Sequence, residues 1–201
     1  MIPEPAFPSA VEIPRAMPRL SLTPRDLVLM GLFAAIIAAL GLLPKITLPL
    51  GLFISAQTMG VMLAGLILGA RRGAGAMLLF VLLVLIGLPL LAGGRGGLGV
   101  VAGPTGGFFL GFPVAAFAVG ALSHLMGRPG SVVRGTLACL GGGIGVLYLC
   151  GIPYWMAVSG LSLEAVLQVA VLFLPGDVIK AVLSGVVAAT VHRGLPALRT
   201  R

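Results

Sequence analysis

The chain reads as an all-α, polytopic membrane protein with six transmembrane helices and cytoplasmic N- and C-termini. Three observations predict this. Of its 201 residues, 59% are hydrophobic and only 9% are charged, with a mean hydropathy of +1.17. Apolar stretches of bilayer-spanning length recur along most of the chain, and they are continuous rather than alternating, which points to helices instead of a transmembrane barrel. The basic residues are also placed unevenly. Arg15, Arg19, Arg25, Arg71, Arg72, Arg128, Arg134, Arg193, Arg199 and Arg201 all fall on alternate loops or at the termini, as the positive-inside rule requires. Lys45 and Arg95 lie on the opposite side, and Lys180 lies within a span.

The elements follow in order. Pro3, Pro5, Pro8, Pro14, Pro18 and Pro24 block any long helix over residues 1–24, which read as a flexible cytoplasmic leader. Thr23-Pro24-Arg25-Asp26 has the makings of a helix start, with Thr as cap and Pro at the first position. The first apolar run begins near Leu27 and lasts a full span, so no cleavable signal peptide is expected. Spans are placed near 26–43, 50–70, 74–92, 104–126, 132–151 and 175–192, making residues 25–192 one membrane domain with a basic tail at 193–201. Gly93 to Gly107 resists simple helix. So does Gly151-Ile152-Pro153-Tyr154-Trp155, where a break is expected, with Tyr154 and Trp155 at headgroup level. The apolar piece from Glu164 to Leu174 is too short to span and should lie at the outer interface or fold back. Pro175-Gly176 then restart the helix, setting Asp177 and Lys180 in its first turns on the outer half. No internal repeat is evident.

Asp177 and Lys180 stand out chemically. Three residues apart, they share one helix face. A Lys or Asp near the middle of a membrane helix costs about 2.5–3.5 kcal/mol on insertion scales. Such groups face a cavity or a partner, and an internal ion pair gluing helices together is the competing explanation. The carboxylate accepts from ligand N–H groups and the ammonium donates to oxygens, so a ligand with both kinds of group would be held at each. Arg95, in Gly93-Gly94-Arg95-Gly96-Gly97, is either a solvated loop residue or a bidentate partner for a carboxylate. Gln57 is a lone amide in the second span, suited to helix packing or to ligand contact. Gly103-Pro104-Thr105-Gly106-Gly107 lacks the Lys-Ser/Thr ending of a nucleotide loop, and its glycines instead allow backbone to approach a ligand.

Other classes find no support. A nucleic-acid surface needs a clustered basic face with aromatic platforms, and none is visible. No His/Cys/carboxylate cluster proposes a metal, and no Ser/His/Asp grouping proposes a nucleophile, so enzyme chemistry and cofactors are not expected. Cys139 and Cys150 read as small packing residues. His124 and His192 fall at span ends, where water or lipid headgroups would meet them. On the first span, Gly31, Ala35 and Ala39 form one row at four-residue spacing and Ala34 and Ala38 a second, suited to close packing within the bundle or against a partner helix.

The run Gly93-Gly94-Arg95-Gly96-Gly97-Leu98-Gly99-Val100, leading into Gly103-Pro104-Thr105-Gly106-Gly107-Phe108 and Gly111-Phe112-Pro113, resembles a signature of the BioY family. Leu174-Pro175-Gly176-Asp177-Val178-Ile179-Lys180 resembles that family's second signature. BioY proteins are the substrate-binding S components of energy-coupling factor biotin transporters. The resemblance, over roughly residues 25–192, implies six helices in a bacterial inner membrane and a biotin pocket open to the outside. It implies binding by Asp177, Lys180, Arg95, Gln57, Gly106, Gly107 and Phe108. The implied partners are a transmembrane coupling subunit, facing Ala34/Ala38 and Ala35/Ala39, and two cytoplasmic ATPases. Phe108 stands where Tyr is expected in many relatives, removing one hydroxyl. Another vitamin, riboflavin or thiamin, and a purely structural bundle are the alternatives.

Overall fold

A computed structural model describes residues 23–43, 46–47, 53–127 and 130–195. The leader up to residue 22, Lys45, Arg128 and the tail from residue 196 lie outside them. Among the described residues the architecture is helical apart from one short hairpin. Helix α1 spans Pro24–Leu40. Strands β1 (Ile46–Thr47) and β2 (Phe53–Ile54) pair antiparallel, Ile46 opposite Ile54. Then come α2 (Gln57–Leu68), α3 (Ala70–Leu85), α4 (Gly106–Leu110), α5 (Phe112–Leu125) and α6 (Val132–Ala138). A π-helical stretch at Cys139–Val146 leads into α7 (Leu147–Ser159), followed by α8 (Leu163–Ala170) and α9 (Leu174–Gly194).

Helix α1 begins as its sequence dictates. The Thr23 hydroxyl accepts from the Asp26 N–H at 3.3 Å, and the Asp26 carboxylate accepts from the Thr23 N–H at 3.0 Å. This reciprocal box satisfies two of the donors a helix start leaves over. Asp26 also meets Arg72 at 2.9 Å, tying the start of α1 to that of α3. Arg71 and Arg72 therefore sit in the first turn of α3 and not in a loop; a single residue, Gly69 at φ +81°, reverses the chain between α2 and α3. Only Gly adopts that conformation at no steric cost.

The core is built around α2, in which every residue from Gly60 to Leu68 is buried. Phe80, Ile37 and Met77 fill the space around it. Close approach rests on small residues, as in membrane bundles generally. A methyl group on Gly142 would strike the Val119 backbone of α5. Large apolar side chains such as Val28, Leu149 and Ile179 cover the outside, each 60% or more exposed.

Several boundaries differ from the sequence expectation. The span placed at 50–70 begins only at Gln57, after the hairpin. The span placed at 104–126 is divided at Gly111 into α4 and α5. No break occurs at Gly151–Trp155: one helical run covers Val132–Ser159, 28 residues long. Pro153 deletes one backbone donor, but Tyr154 anchors the helix by donating to the Val101 carbonyl. The piece 164–174 likewise neither folds back nor stands apart. It continues through a 3-10 turn at Val171–Phe173 into α9, so Leu163–Gly194 is one helical run of 32 residues. Pro175, at the start of α9, needs no donor there.

Candidate functional site

The first residues of α2 and α9, the turn after α3, and helices α4, α5 and α7 enclose a cavity of about 810 Å³, counted out to its open mouth. Its lining is mostly apolar and aromatic, including Phe108, Phe112, Tyr148, Trp155 and Phe173, with the polar groups concentrated on α2 and α9.

Those polar groups form a chain. Asp177 is buried at 7% exposure on α9. One of its oxygens accepts from the Lys180 ammonium at 2.9 Å, the other from the Tyr148 hydroxyl of α7 at 2.9 Å. Lys180 also donates to the Thr58 hydroxyl of α2 at 3.1 Å. A buried ion pair repays its desolvation only with further hydrogen bonds of this kind. Capacity is left over. An ionised carboxylate has about four lone-pair positions and an ammonium three donors, so each can still meet a ligand.

Gln57 lines the same cavity, but its amide is committed elsewhere. Its NH₂ donates to the carbonyls of Ile37 at 3.2 Å and Leu90 at 3.0 Å, and its oxygen accepts from the Ala92 N–H at 3.0 Å. Both donors are spent joining α1, α2 and the segment after α3, which favours packing over ligand contact. Arg95 reaches the cavity from a tight turn in which Leu91 and Arg95 exchange backbone hydrogen bonds around Gly93 and Gly94, both at positive φ. Burial draws its guanidinium below the usual pKa range, though arginine stays charged at neutral pH.

Gly106 and Gly107 are placed differently. They do not line the cavity; a methyl group on either would collide with the Tyr154 side chain. Their small size lets α4 pack onto α7, so the close approach they allow is to a helix and not to a ligand. Phe108, the next residue, does line the cavity and packs edge-on against Tyr148, ring centroids 5.7 Å apart.

Tyr148, Thr58 and Trp155 are among the cavity residues that sequence reasoning did not assign to the site. Trp155 is 2% exposed and Tyr154 is bonded inward, so both side chains face the protein interior. The overlooked signal was spacing. Tyr148 and Trp155 lie two turns apart on one face of α7, which the expected break at Gly151 concealed. On α1, Ala34 is buried and Ala38 half-buried, while Ala35 and Ala39 face outward. The two rows therefore point to different surroundings. Among the described residues no group of three His, Cys, Asp or Glu could hold a metal ion.

Residues 15–197 match the model of the BioY family. The chain belongs to that family. The match reaches into the stretch read as leader. The biotin transporter BioY of Rhizobium etli is 51% identical, over 88% of this chain and 98% of its own length. That of Rhodobacter capsulatus is 45% identical, over 86% and 95%. A crystal structure of the S-component for biotin from an ECF-type ABC transporter aligns with a TM-score of 0.79 at 30% identity, covering 86% of this chain and 95% of that one. BioY proteins are transporter subunits and not enzymes, and this chain shares their helical S-component fold.

Proposed function

We propose that this BioY chain captures biotin in the cavity at the start of α9 and carries it across the membrane as the S component of an energy-coupling factor transporter. The observation that carries this is the placement of one buried carboxylate beside an ammonium with spare donors, in a cavity otherwise aromatic and apolar. Biotin has two ureido N–H groups, a carbonyl, an apolar thiophane ring and a valerate carboxylate. Asp177 accepts from the ureido N–H groups, and Lys180, 2.9 Å from Asp177, donates to the ureido carbonyl. Arg95, from the turn after α3, takes the valerate carboxylate in bidentate fashion. Phe108 and the other aromatic side chains cover the thiophane ring.

Six spans in a bacterial inner membrane accommodate this fold: α1, α2, α3, α4 with α5, α6 with α7, and α8 with α9. Residues 1–24 and 193–201 flank that domain on the cytoplasmic side. The contact of Arg72 with Asp26, far from the cavity on α3, supports a basic, cytoplasmic end opposite the binding end. The transmembrane coupling subunit packs on the outward Gly31/Ala35/Ala39 row of α1, and two ATPases supply the energy from the cytoplasm.

Isothermal titration of the detergent-purified chain with biotin, riboflavin and thiamin tests the ligand. Saturable binding of biotin alone is expected. Binding of another vitamin, or none by folded protein, overturns the assignment.

A further inference from the structure

Helix α6, the π-helical stretch and α7 form one continuous run, but its buried positions do not follow one helical pattern. Before the π-helical stretch is complete, the buried positions Gly135, Ala138 and Gly142 recur at three and four residues, as one face of an α-helix requires. After it, Leu147, Gly151 and Trp155 recur at four. The step between the two sets, from Gly142 to Leu147, is five. Continued at α-helical spacing, the first set would bury Gly145 or Val146, then Leu149 and Pro153. Instead Leu149 is 74% exposed, and Gly145 and Pro153 also face outward.

The run thus carries one residue more than an unbroken α-helical face allows, and the π-helix takes it up. A π-turn closes from i to i+5, one residue wider than an α-turn, and such turns are frequent at functional sites. Two glycines make room for the widened backbone. A methyl group on Gly142 would strike Val119 of α5, and one on Gly143 would strike Met62 of α2. The step of five matters to the cavity, because Tyr148, which donates to Asp177, and Trp155, in the cavity wall, both lie beyond it. One residue is about 100° of rotation at 3.6 residues per turn, enough to take both side chains out of the cavity.

We infer that the segment Cys139–Val146 is the positioning element of the ligand site: its one-residue excess sets the register of α7 so that Tyr148 and Trp155 face the cavity. None of its residues lines the cavity, so it acts through those two side chains. That biotin is the ligand rests on the function proposed above; the register of α7 does not.

The test changes the residue count in opposite directions at Gly145, an exposed glycine outside the cavity. Deleting Gly145 removes the excess, so plain α-helical winding brings the two buried faces into line. Inserting one alanine after Gly145 instead moves Tyr148 into the outward place of Leu149. Gly145→Ala keeps the count and serves as the control. Each full-length protein is placed in nanodiscs containing brominated phospholipid. Quenching of Trp155, the single tryptophan, reads the register without any ligand, and isothermal titration reads biotin. The deletion and Gly145→Ala should keep Trp155 shielded and biotin affinity near the native value. The insertion should raise quenching and weaken biotin at least about tenfold, since the Tyr148 bond to a charged group is lost. A deletion as damaging as the insertion, whether to folding, shielding or binding, overturns the inference, and so does an insertion without effect. Should the native chain bind no biotin while quenching follows the predicted order, the positioning role stands and the ligand assignment falls.

Discussion

Tyr148 holds the Asp177 carboxylate at 2.9 Å across the gap between α7 and α9, opposite the oxygen that Lys180 engages. The carboxylate is therefore fixed from two helices before any ligand arrives. Its free lone pairs keep a set direction, which lowers the ordering cost of binding.

Asp177→Asn preserves shape but replaces a charged double acceptor with a group that also donates. Removing one partner of a buried charge pair costs ~2–5 kcal/mol. Biotin affinity should fall accordingly in isothermal titration; unchanged affinity would exclude Asp177 from the site.

Tyr148→Phe removes only the hydroxyl and keeps the ring against Phe108. A hydrogen bond to a charged group is worth about 1.5–3 kcal/mol; made before the ligand arrives, its loss should lower the thermal midpoint, and biotin binding should weaken because Asp177 is no longer held in place. In a double-mutant cycle with Asp177→Asn, the two losses should be less than additive, because both act on one carboxylate. Full additivity would mean that Tyr148 acts elsewhere.

Gln57→Leu keeps volume but loses three hydrogen bonds to buried backbone. A stability loss of roughly 2–4 kcal/mol is expected, read as a lower thermal midpoint of the chain in detergent with and without biotin. Weakened binding at an unchanged midpoint would instead show Gln57 to be a ligand contact.

The two rows on α1 should respond differently. Ala34→Leu overpacks a site only 3% exposed, at about 1–3 kcal/mol of stability. Ala35→Leu lies on the outer face and should leave biotin binding and the thermal midpoint unchanged while reducing co-purification with the coupling subunit. Intact co-purification would remove the Gly31/Ala35/Ala39 row from the interface.

The sequence made some of this legible. Asp177 and Lys180 were legible because a local helical spacing and a composition rule suffice: charges three apart in an apolar run must face one another or a ligand. The α1 cap was legible for the same local reason. Tyr148 and Thr58 were not, because their roles exist only once α2, α7 and α9 meet. Gly106 and Gly107 advertised close approach without saying to what; the answer, Tyr154, lies more than forty residues away. Pro153 misled because its local helix-breaking tendency is outweighed by packing between α4 and α7.

Trp155 is the chain's single tryptophan and, at 2% exposure, forms part of the cavity wall. Its emission therefore reports on that cavity alone. Fluorescence titration with biotin, run on the native chain and on Asp177→Asn, is the most direct measurement of where the ligand sits. A saturable change in Trp155 emission at one biotin per chain, weakened in the variant, is the predicted result. Biotin binding detected by calorimetry with no change in Trp155 emission would contradict the account.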